Sequence, residues 1–338
     1  MNLMSKNLIT HNIYFYLLAL LPFAITILGN VLGSYWVGLN LLLVLILIPL
    51  DSVWKVNKVG VKHSLFIWSI LIAVVILQTI GIGTFLLGFL TGKIVLFNLF
   101  LAILSNGLML GLGITIAGHE LIHSKPKWAK NLGILSLFLS LYTFHYIEHI
   151  QGHHKNVSQE IDPTSAKLNQ SFYNYLFVGF WVELVHAFQI EAKRLKEKSV
   201  WSLNNFVVRW SILQILLVVG IAFFFGTVAA VSFVAISFVS ITYHYIVMYS
   251  QHYGLNRDEG ERTLAEHSWQ NNSWISEYFV LGFTNHSEHH TRVTKGYCEI
   301  EILENGPDIG TGYLGIIPLV LIPNLWKSRA NTVLINQK

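Results

Sequence analysis

Long apolar stretches joined by short polar connections make up two parts of the chain, residues 12–118 and 206–250. A helix needs roughly 20 mostly apolar residues to cross the hydrocarbon core of a bilayer. On that basis the pattern predicts six transmembrane helices. They lie near residues 12–32, 34–50, 64–90, 94–118, 206–226 and 227–250. The predicted fold is an all-α polytopic membrane protein that forms a single membrane domain over residues 1–338.

The composition agrees with a membrane protein. Hydrophobic residues make up 53% of the chain and charged residues only 12%, which is too apolar for a soluble protein of this length. The single cysteine, Cys298, excludes a disulfide framework and a zinc site built from thiolates. No basic stripe interleaved with aromatic residues is present, so nucleic-acid binding is not expected.

The positions of lysine and arginine predict the orientation of the helices. Region 119–205 contains nine of these residues and region 251–338 contains seven, whereas the loops assigned to the opposite side contain only Lys93. Basic residues concentrate in cytoplasmic loops. We therefore expect an inner-membrane protein in which both termini and both of these polar regions, as parts of a helical cap, are cytoplasmic.

Three further segments are predicted to lie at the membrane surface. The stretch Leu132–Ile147 is short for a crossing and is interpreted as one re-entrant or interfacial helix. Trp181–Lys198 has the pattern of an amphipathic, lysine-rich helix that lies along the membrane. Gly312–Trp326 is interpreted as an interfacial segment near the C terminus.

Histidines form three clusters in the polar regions. The clusters contain eight of the fifteen histidines: His119 and His123; His149, His153 and His154; His286, His289 and His290. Residues four apart on a helix share a face, as His149 and His153 do if their segment is helical. Neutral imidazole is the commonest side-chain ligand of transition metals. Because eight imidazoles exceed the needs of one ion, the sequence predicts one polyhistidine site with two metals.

The metal and its chemistry can be narrowed from the ligands and their location. All-nitrogen ligands suit iron, copper or zinc, whereas magnesium and calcium prefer oxygen. A site at the mouth of an apolar helix bundle suits substrates dissolved in lipid, and redox iron with dioxygen would hydroxylate or desaturate them.

Two other classes of protein explain the histidines less completely. His119-Glu120-Leu-Ile-His123 fits the zinc-protease pattern with Glu120 as general base, but a zinc protease leaves the other clusters unexplained. A metal transporter should carry polar residues within its helices, and the predicted helices contain no Asp or Glu in their interiors.

Several motifs together resemble the membrane di-iron desaturase and hydroxylase superfamily, and within it the integral-membrane alkane 1-monooxygenases. The matching stretches are GHELIH (118–123), EHIQGHH (148–154), DPTSA (162–166), HYGL (252–255), EHSW (266–269) and HSEHH (286–290), with a similar C-terminal segment at 312–326. The resemblance implies six transmembrane helices under a cytoplasmic cap, which holds two non-haem iron ions. It implies that one oxygen atom of O2 enters a terminal C–H bond of an alkane, giving a primary alcohol, with electrons from rubredoxin or ferredoxin.

The resemblance also implies a ninth ligand, His252, which the residues alone would not select. Its implied ligand set is His119, His123, His149, His153, His154, His252, His286, His289 and His290. Two Fe(II) ions with neutral ligands carry four positive charges, so nearby carboxylates are expected to orient the ligands or balance charge. The candidates are Glu120, Glu148, Asp162, Glu266 and Glu288.

Some positions depart from the family pattern or leave the substrate open. Gln251 stands where the family usually has a glutamate, and Asn285 replaces a usual arginine. A fatty-acyl desaturase or hydroxylase and an arene methyl hydroxylase are alternatives on the same scaffold, with another lipophilic substrate. A basic surface is expected to steer an acidic rubredoxin or ferredoxin. It consists of Lys125, Lys127, Lys130, Arg292 and Lys295.

Overall fold

The computed structural model describes residues 8–62, 64–196 and 200–336, and most of these residues are helical. The helices of the first half are α1 (Leu21–Leu32), α2 (Leu39–Leu50), α3 (Leu65–Leu90), α4 (Leu96–Gly113), α5 (His119–Ile122), α6 (Lys127–Leu139), α7 (His145–Glu148) and α8 (His154–Asn156). Those of the second half are α9 (Phe172–Leu195), α10 (Phe206–Phe225), α11 (Thr227–His252), α12 (Trp274–Phe279), α13 (His286–Thr291), α14 (Ile316–Leu321) and α15 (Pro323–Asn336). The 3-10 segments are Ile13–Leu20, Ser34–Gly38 and Ala265–His267, and the π-helical segments are Ile114–Gly118 and His149–His153.

The predicted all-α class is confirmed, with one small addition. Strands β1 (Leu8–Thr10) and β2 (Lys55–Asn57) pair in parallel, with Leu8 opposite Lys55. The hydrophobic pattern of these three-residue segments is too short to predict a strand. The pairing fixes the chain before the first helices to the chain that follows α2.

Within the described residues, five helical stretches are long and apolar enough to cross a membrane: Ile13–Leu32, Leu65–Leu90, Leu99–Ile122, Phe206–Phe225 and Thr227–His252. They correspond to five of the six predicted spans. The remaining one, predicted at 34–50, is the shorter apolar segment Ser34–Leu50. At 1.5 Å per residue such a segment is about 25 Å long, which is less than the hydrocarbon thickness of about 30 Å. The sixth crossing therefore stays a prediction.

Helices α4 and α11 pack against each other along their length. Glycines make this possible, because a Cβ atom added to Gly107 would lie only 2.5 Å from Val239. A Cβ added to Gly111 would lie 2.9 Å from Tyr243. The two helices continue to His119 and His252 respectively, so their close packing brings histidines from distant parts of the sequence to the same end of the bundle.

The prediction of one helix over Leu132–Ile147 is wrong. Helix α6 ends at Leu139, and Leu141 has a left-handed backbone with φ of +54°. The chain then turns before α7 begins at His145. A run of apolar residues does not reveal such a break, because none of the residues in it is a proline and the left-handed residue is a leucine.

The amphipathic segment predicted at Trp181–Lys198 belongs to a longer helix, α9, which begins at Phe172. Residues 197–199 lie outside the described part of the chain. The side chain of Glu183 is fully buried rather than placed on a polar outer face. Part of the polar pattern of α9 therefore faces other protein segments instead of water.

The C-terminal segment is joined to the membrane helices by Asp51, the residue that follows α2. Its buried carboxylate accepts a hydrogen bond from the Ser276 hydroxyl at 2.8 Å. It also accepts the N–H groups of Leu314 and Gly315, each at 2.9 Å. The region predicted as one interfacial segment at 312–326 thus begins with backbone bound to this carboxylate, and α14 and α15 follow it.

Candidate metal centre

Both segments that contribute histidines from the first half of the chain contain a π-helical turn. In the first, the π-helix Ile114–Gly118 leads directly into α5, which begins at His119. In the second, the π-helix is His149–His153 itself. Single π-helical turns are rare and occur frequently at functional sites, because the extra residue redirects the side chains that follow. The histidines are therefore placed differently from those on a regular α-helix.

Five of the nine predicted ligands form one cluster, here called the five-histidine cluster: His119, His123, His149, His154 and His289. Within it, the Nε2 atoms of His149 and His154 are 2.9 Å apart. Those of His123 and His149 are 3.0 Å apart, and those of His123 and His154 are 3.1 Å apart. The Nε2 atom of His289 lies 3.3 Å from that of His154. These four imidazoles approach one another through the same ring atom, Nε2.

The remaining four predicted ligands form the four-histidine cluster: His153, His252, His286 and His290. The Nε2 atom of His286 is 2.9 Å from that of His290 and 3.1 Å from that of His252. The Nε2 atom of His153 is 3.3 Å from that of His290. His252, the ligand implied only by family resemblance, lies within this group as closely as the other three.

The spacing within both clusters fits a transition-metal ion. Imidazole nitrogens bind such ions at about 2.0–2.1 Å, so two ligands at right angles to each other are separated by about 3.0 Å. The Nε2 atoms of each cluster lie 2.9 to 3.3 Å from their neighbours. Two lone pairs facing each other at such distances repel unless a cation lies between them. Two ions, one for each cluster, satisfy this geometry.

Six of the clustered histidines outside the membrane helices are also in the protonation state that metal binding requires. Removal from water is the largest cause that lowers their pKa values, and the neighbouring imidazoles lower them further. The pKa of His123 falls to about 3. The pKa values of five others lie well below the ordinary range: His149, His154, His286, His289 and His290. These side chains are therefore neutral at physiological pH, with a lone pair available.

Neighbouring residues in the sequence are divided between the two clusters. His153 belongs to one cluster and His154 to the other, and their ring centroids are 5.7 Å apart. The adjacent pair His289 and His290 is divided in the same way, with centroids 5.3 Å apart. His149 therefore shares its cluster with His154 and not with His153, although His149 and His153 are four residues apart. These adjacent pairs hold the two clusters side by side.

One predicted carboxylate, Asp162, binds a clustered histidine directly. Its Oδ2 atom accepts the Nδ1–H of His153 at 2.8 Å. The hydroxyls of Thr164 and Ser165 donate to the same carboxylate at 2.8 and 2.6 Å. Burial alone would raise the pKa of Asp162, but the attraction of His153 and the hydrogen bonds from His153 and Ser165 hold it below its ordinary value. The ionised carboxylate fixes the tautomer in which the Nε2 atom of His153 points into the cluster.

The other four predicted carboxylates have different partners. Glu148 is fully buried, and its Oε1 atom lies 3.2 Å from Nδ1 of His186. Glu120 accepts the backbone N–H of Tyr297 at 3.3 Å. Glu288 binds Arg292 and Lys295, each at 2.8 Å. Glu266 lies with Glu261 and His267, apart from both clusters. None of these hydrogen bonds or ion pairs involves one of the nine histidines.

Gln251, which departs from the family pattern, lies next to His252 and is buried. Its amide Nε2 donates to the hydroxyl of Tyr313 at 2.7 Å. The hydroxyl of Tyr313 in turn donates to the carbonyl of Phe283 at 3.3 Å. The amide therefore connects α11 to the segments on either side of α13, and it does so without a charge.

A second buried network touches the five-histidine cluster and was missed by sequence reasoning. Glu183 accepts hydrogen bonds from Nδ1 of His145 at 2.8 Å and from the hydroxyl of Tyr142 at 2.6 Å. It also accepts the hydroxyl of Tyr245. The ring of His145 stacks on that of His149, with centroids 4.9 Å apart. The network supports one side of the cluster, and only the isolated charge of Glu183 in an apolar stretch could have signalled it.

Comparison with known proteins places this arrangement in a family. The model of the fatty acid desaturase family matches residues 94–304, which include all nine clustered histidines. The chain belongs to the fatty acid desaturase family. Membership in this family confirms the resemblance to membrane desaturases and hydroxylases that the histidine motifs predict.

Relatives within the family include alkane 1-monooxygenases. Alkane 1-monooxygenase 2 of Pseudomonas aeruginosa is 36% identical over 234 residues, which cover 67% of this chain and 62% of the relative. Alkane 1-monooxygenase 2 of Alcanivorax borkumensis is 33% identical over 236 residues, covering 68% of this chain and 62% of the relative. The chain thus spans about three-fifths of the length of these relatives.

A third relative matches over more of its length. The xylene/toluene monooxygenase hydroxylase component XylM of Pseudomonas putida is 25% identical over 308 residues, covering 89% of this chain and 83% of the relative. The resemblance to alkane 1-monooxygenases predicted from the histidine motifs is confirmed by the matches to the enzymes of Pseudomonas aeruginosa and Alcanivorax borkumensis.

Proposed function

We propose that this protein is a membrane di-iron monooxygenase. It inserts one oxygen atom of O2 into a terminal C–H bond of an alkane or a similar lipophilic molecule and releases a primary alcohol. The reaction consumes the hydrocarbon, O2, two electrons and two protons, and it yields the alcohol and water. The observation that carries the proposal is the convergence of nine histidines, eight of them through neighbouring Nε2 atoms, in two adjacent, largely buried clusters at the end of apolar helices.

Iron bound by the two clusters would supply the reductive activation of dioxygen, which protein side chains alone cannot perform. The residues of the chain hold and orient it. Asp162 fixes the tautomer of His153, and burial keeps the surrounding imidazoles neutral. Most of the nine histidines are buried, with His119 and His252 each 1% exposed. This burial limits access of bulk water, which favours reaction with a substrate that arrives from the lipid.

An apolar cavity near the clusters supports a lipophilic substrate. It has a volume of about 320 Å³ and lies between α9 and α11, where Phe180, Phe238 and Leu141 line it. Leu141 precedes Tyr142, whose ring stacks on His145 with centroids 4.8 Å apart. Because His145 in turn stacks on His149, the side chains of Tyr142 and His145 lie between this cavity and the five-histidine cluster. A lipophilic substrate is proposed to approach from this side.

Similarity to XylM over most of the chain favours a second candidate, hydroxylation of the methyl group of an arene. The two substrates would share the oxygen-insertion chemistry and differ only in the shape of the apolar group. Turnover of a mid-length n-alkane and of a methylarene, measured on the same preparation, would distinguish them by their products.

The proposed function is tested by metal analysis and turnover on the purified full-length protein. We expect about two irons per chain and a primary alcohol from an n-alkane when a rubredoxin, its reductase and NADH are supplied. Two irons with no oxidation of alkane or methylarene would overturn the substrate assignment. One zinc ion per chain without oxygen consumption would overturn the monooxygenase itself.

Electrons are proposed to come from an acidic rubredoxin or ferredoxin on the cytoplasmic face of the inner membrane. Of the nine histidines only His123 and His154 are partly exposed, so they form the solvent edge of the site. Lys125 and Lys127 follow His123 and are exposed, and Lys155 follows His154 and is also exposed. Three cations beside the solvent edge would attract a negatively charged electron carrier and orient it.

Reversal of charge at this edge is expected to weaken the encounter with the electron donor. Lys127→Glu should raise the donor concentration needed for half-maximal turnover several-fold at low salt, because a rim charge acts mainly on association. The difference from the wild type should shrink as ionic strength rises. Steady-state turnover against rubredoxin concentration measures it. Lys93→Glu, an exposed lysine in the loop before α4, is the matched control, and an equal effect of both variants would contradict the proposed docking.

A further inference from the structure

Tyr297 is a buried tyrosine that touches the five-histidine cluster from outside the histidine motifs. Its side chain is 1% exposed, and its hydroxyl makes a hydrogen bond with Nδ1 of His119. The same hydroxyl lies 3.3 Å from the backbone carbonyl of Thr115. A carbonyl can only accept, so the phenol donates its proton to Thr115, and its oxygen accepts the Nδ1–H of His119.

This assignment of donors fixes the tautomer of His119. With the proton on Nδ1, the lone pair is on Nε2, which is the nitrogen left to bind a metal. The Nε2 atom of His119 is buried and has no hydrogen-bond partner in the described part of the chain, as expected of an atom reserved for a metal. Without a bound metal, a buried nitrogen that lacks a hydrogen-bond partner would lower the stability of the fold.

The π-helical turn before His119 makes the contact possible. In an α-helix the backbone N–H of His119 would bond to the carbonyl of Thr115, four residues earlier. Here it bonds instead to the carbonyl of Ile114, five residues earlier. The carbonyl of Thr115 is therefore not used by the His119 N–H, and it is available to the phenol of Tyr297.

Tyr297 is itself held from several sides. Lys58 donates to the backbone carbonyl of Tyr297 at 2.7 Å and forms a buried ion pair with Glu277 at 3.3 Å. The phenol ring stacks on Phe283, with centroids 4.6 Å apart, and Phe283 also contacts the ring of His119 at 4.7 Å. These contacts hold the hydroxyl in the position where it bonds to Nδ1 of His119.

Three other histidines of the cluster lack such a partner in the described part of the chain. Among the described residues, no hydrogen bond is made by Nδ1 of His149, His154 or His289. In the four-histidine cluster the corresponding contact is that of His153 with Asp162. One cluster therefore contains a histidine oriented by a neutral phenol, and the other contains a histidine oriented by a carboxylate.

We propose that Tyr297 is the positioning residue of the five-histidine cluster, which it serves by fixing the tautomer and orientation of His119. The proposal rests on the proposed metal centre. A neutral phenol makes His119 a weaker electron donor than the carboxylate makes His153, so the two bound metals differ electronically. Loss of the phenol oxygen affects the metal of the five-histidine cluster and leaves the other metal in place.

The test compares Tyr297→Phe with Tyr313→Phe in the full-length, metal-loaded protein. Both tyrosines are almost fully buried, and only the hydroxyl of Tyr297 bonds to a clustered histidine. Metal retained against increasing chelator and the visible spectrum of the Co(II)-substituted protein are measured beside the melting temperature. We expect Tyr297→Phe to release one of two metals at about tenfold lower chelator concentration and to alter the Co(II) bands. Tyr313→Phe is expected to match the wild type.

Equal retention and identical spectra in all three proteins would overturn the role of Tyr297, and so would equal losses in both variants. A double-mutant cycle separates positioning from general destabilisation. Once His119→Ala has removed the ligand, Tyr297→Phe should have no further effect on metal retention, whereas a persisting effect would contradict the proposal. If the wild type itself binds no transition metal, the proposed function fails together with this inference.

Discussion

Replacement of His149 or His286 by alanine is expected to abolish oxygenation while the chain remains folded. Each variant removes a ligand from one cluster only, His149 from the five-histidine cluster and His286 from the four-histidine cluster. Even residues that merely orient a ligand are worth 10–100-fold in metal affinity or activity, so loss of a ligand should cost more than about 100-fold. Turnover, iron per chain and the melting temperature are measured on each purified variant.

The pattern of iron loss is as informative as the loss of activity. Because adjacent residues join the two clusters, each variant should retain at most one tightly bound iron and neither should oxidise the substrate. His11→Ala is the control, since His11 contacts Tyr16 and lies in neither cluster. Full activity in either ligand variant, or equal loss in the control, would rule out the two-cluster centre as the site of reaction.

Much of this architecture follows directly from the sequence. Long apolar stretches are detectable because a helix in lipid must satisfy its backbone internally and cover itself with apolar side chains. Five predicted spans accordingly match helical stretches such as Leu65–Leu90. Histidines in an otherwise apolar chain are equally conspicuous, and eight of the nine clustered histidines could be found from their spacing. His252 required the family resemblance, because an isolated histidine carries no spacing.

The division of the histidines between two clusters could not be predicted from the sequence. In the second motif it accompanies a π-helical turn, whereas the regular spacing rule for an α-helix assigns His149 and His153 to the same ligand group. A π-helical turn is stabilised by tertiary contacts and not by residue type, so the sequence gives no sign of it. The break at Leu141 was missed for the same reason.

The supporting contacts were the least predictable part of the site. Tyr297 lies seven residues after His290 in sequence and contacts His119 from the other half of the chain. Among the five predicted carboxylates, Asp162 makes a hydrogen bond to the clustered His153. A carboxylate near a histidine motif in sequence can point to either side of a helix, as Glu288 does toward Arg292. Closeness to a histidine motif in the sequence therefore does not show which carboxylates contact a clustered histidine.

Substitution of Asp162 by asparagine is expected to lower metal affinity or turnover by about 10–100-fold without unfolding the protein. The amide keeps the size of the side chain and can still accept one hydrogen bond. It removes the negative charge that favours the Nδ1–H tautomer of His153, and its NH2 group can donate toward Nδ1 instead. In that arrangement the proton of His153 moves to Nε2, and the nitrogen that should bind metal becomes a donor.

Chelator competition and turnover measure this effect, and Glu266→Gln is the matched control. Glu266 is the predicted carboxylate that lies apart from both clusters, so its neutral variant should retain wild-type metal affinity and activity. The loss in Asp162→Asn should fall on the four-histidine cluster, opposite to the loss expected for Tyr297→Phe. If Asp162→Asn retained both metals as tightly as the wild type, the carboxylate would serve only the fold around Thr164 and Ser165. Its negative charge would then have no part in orienting His153.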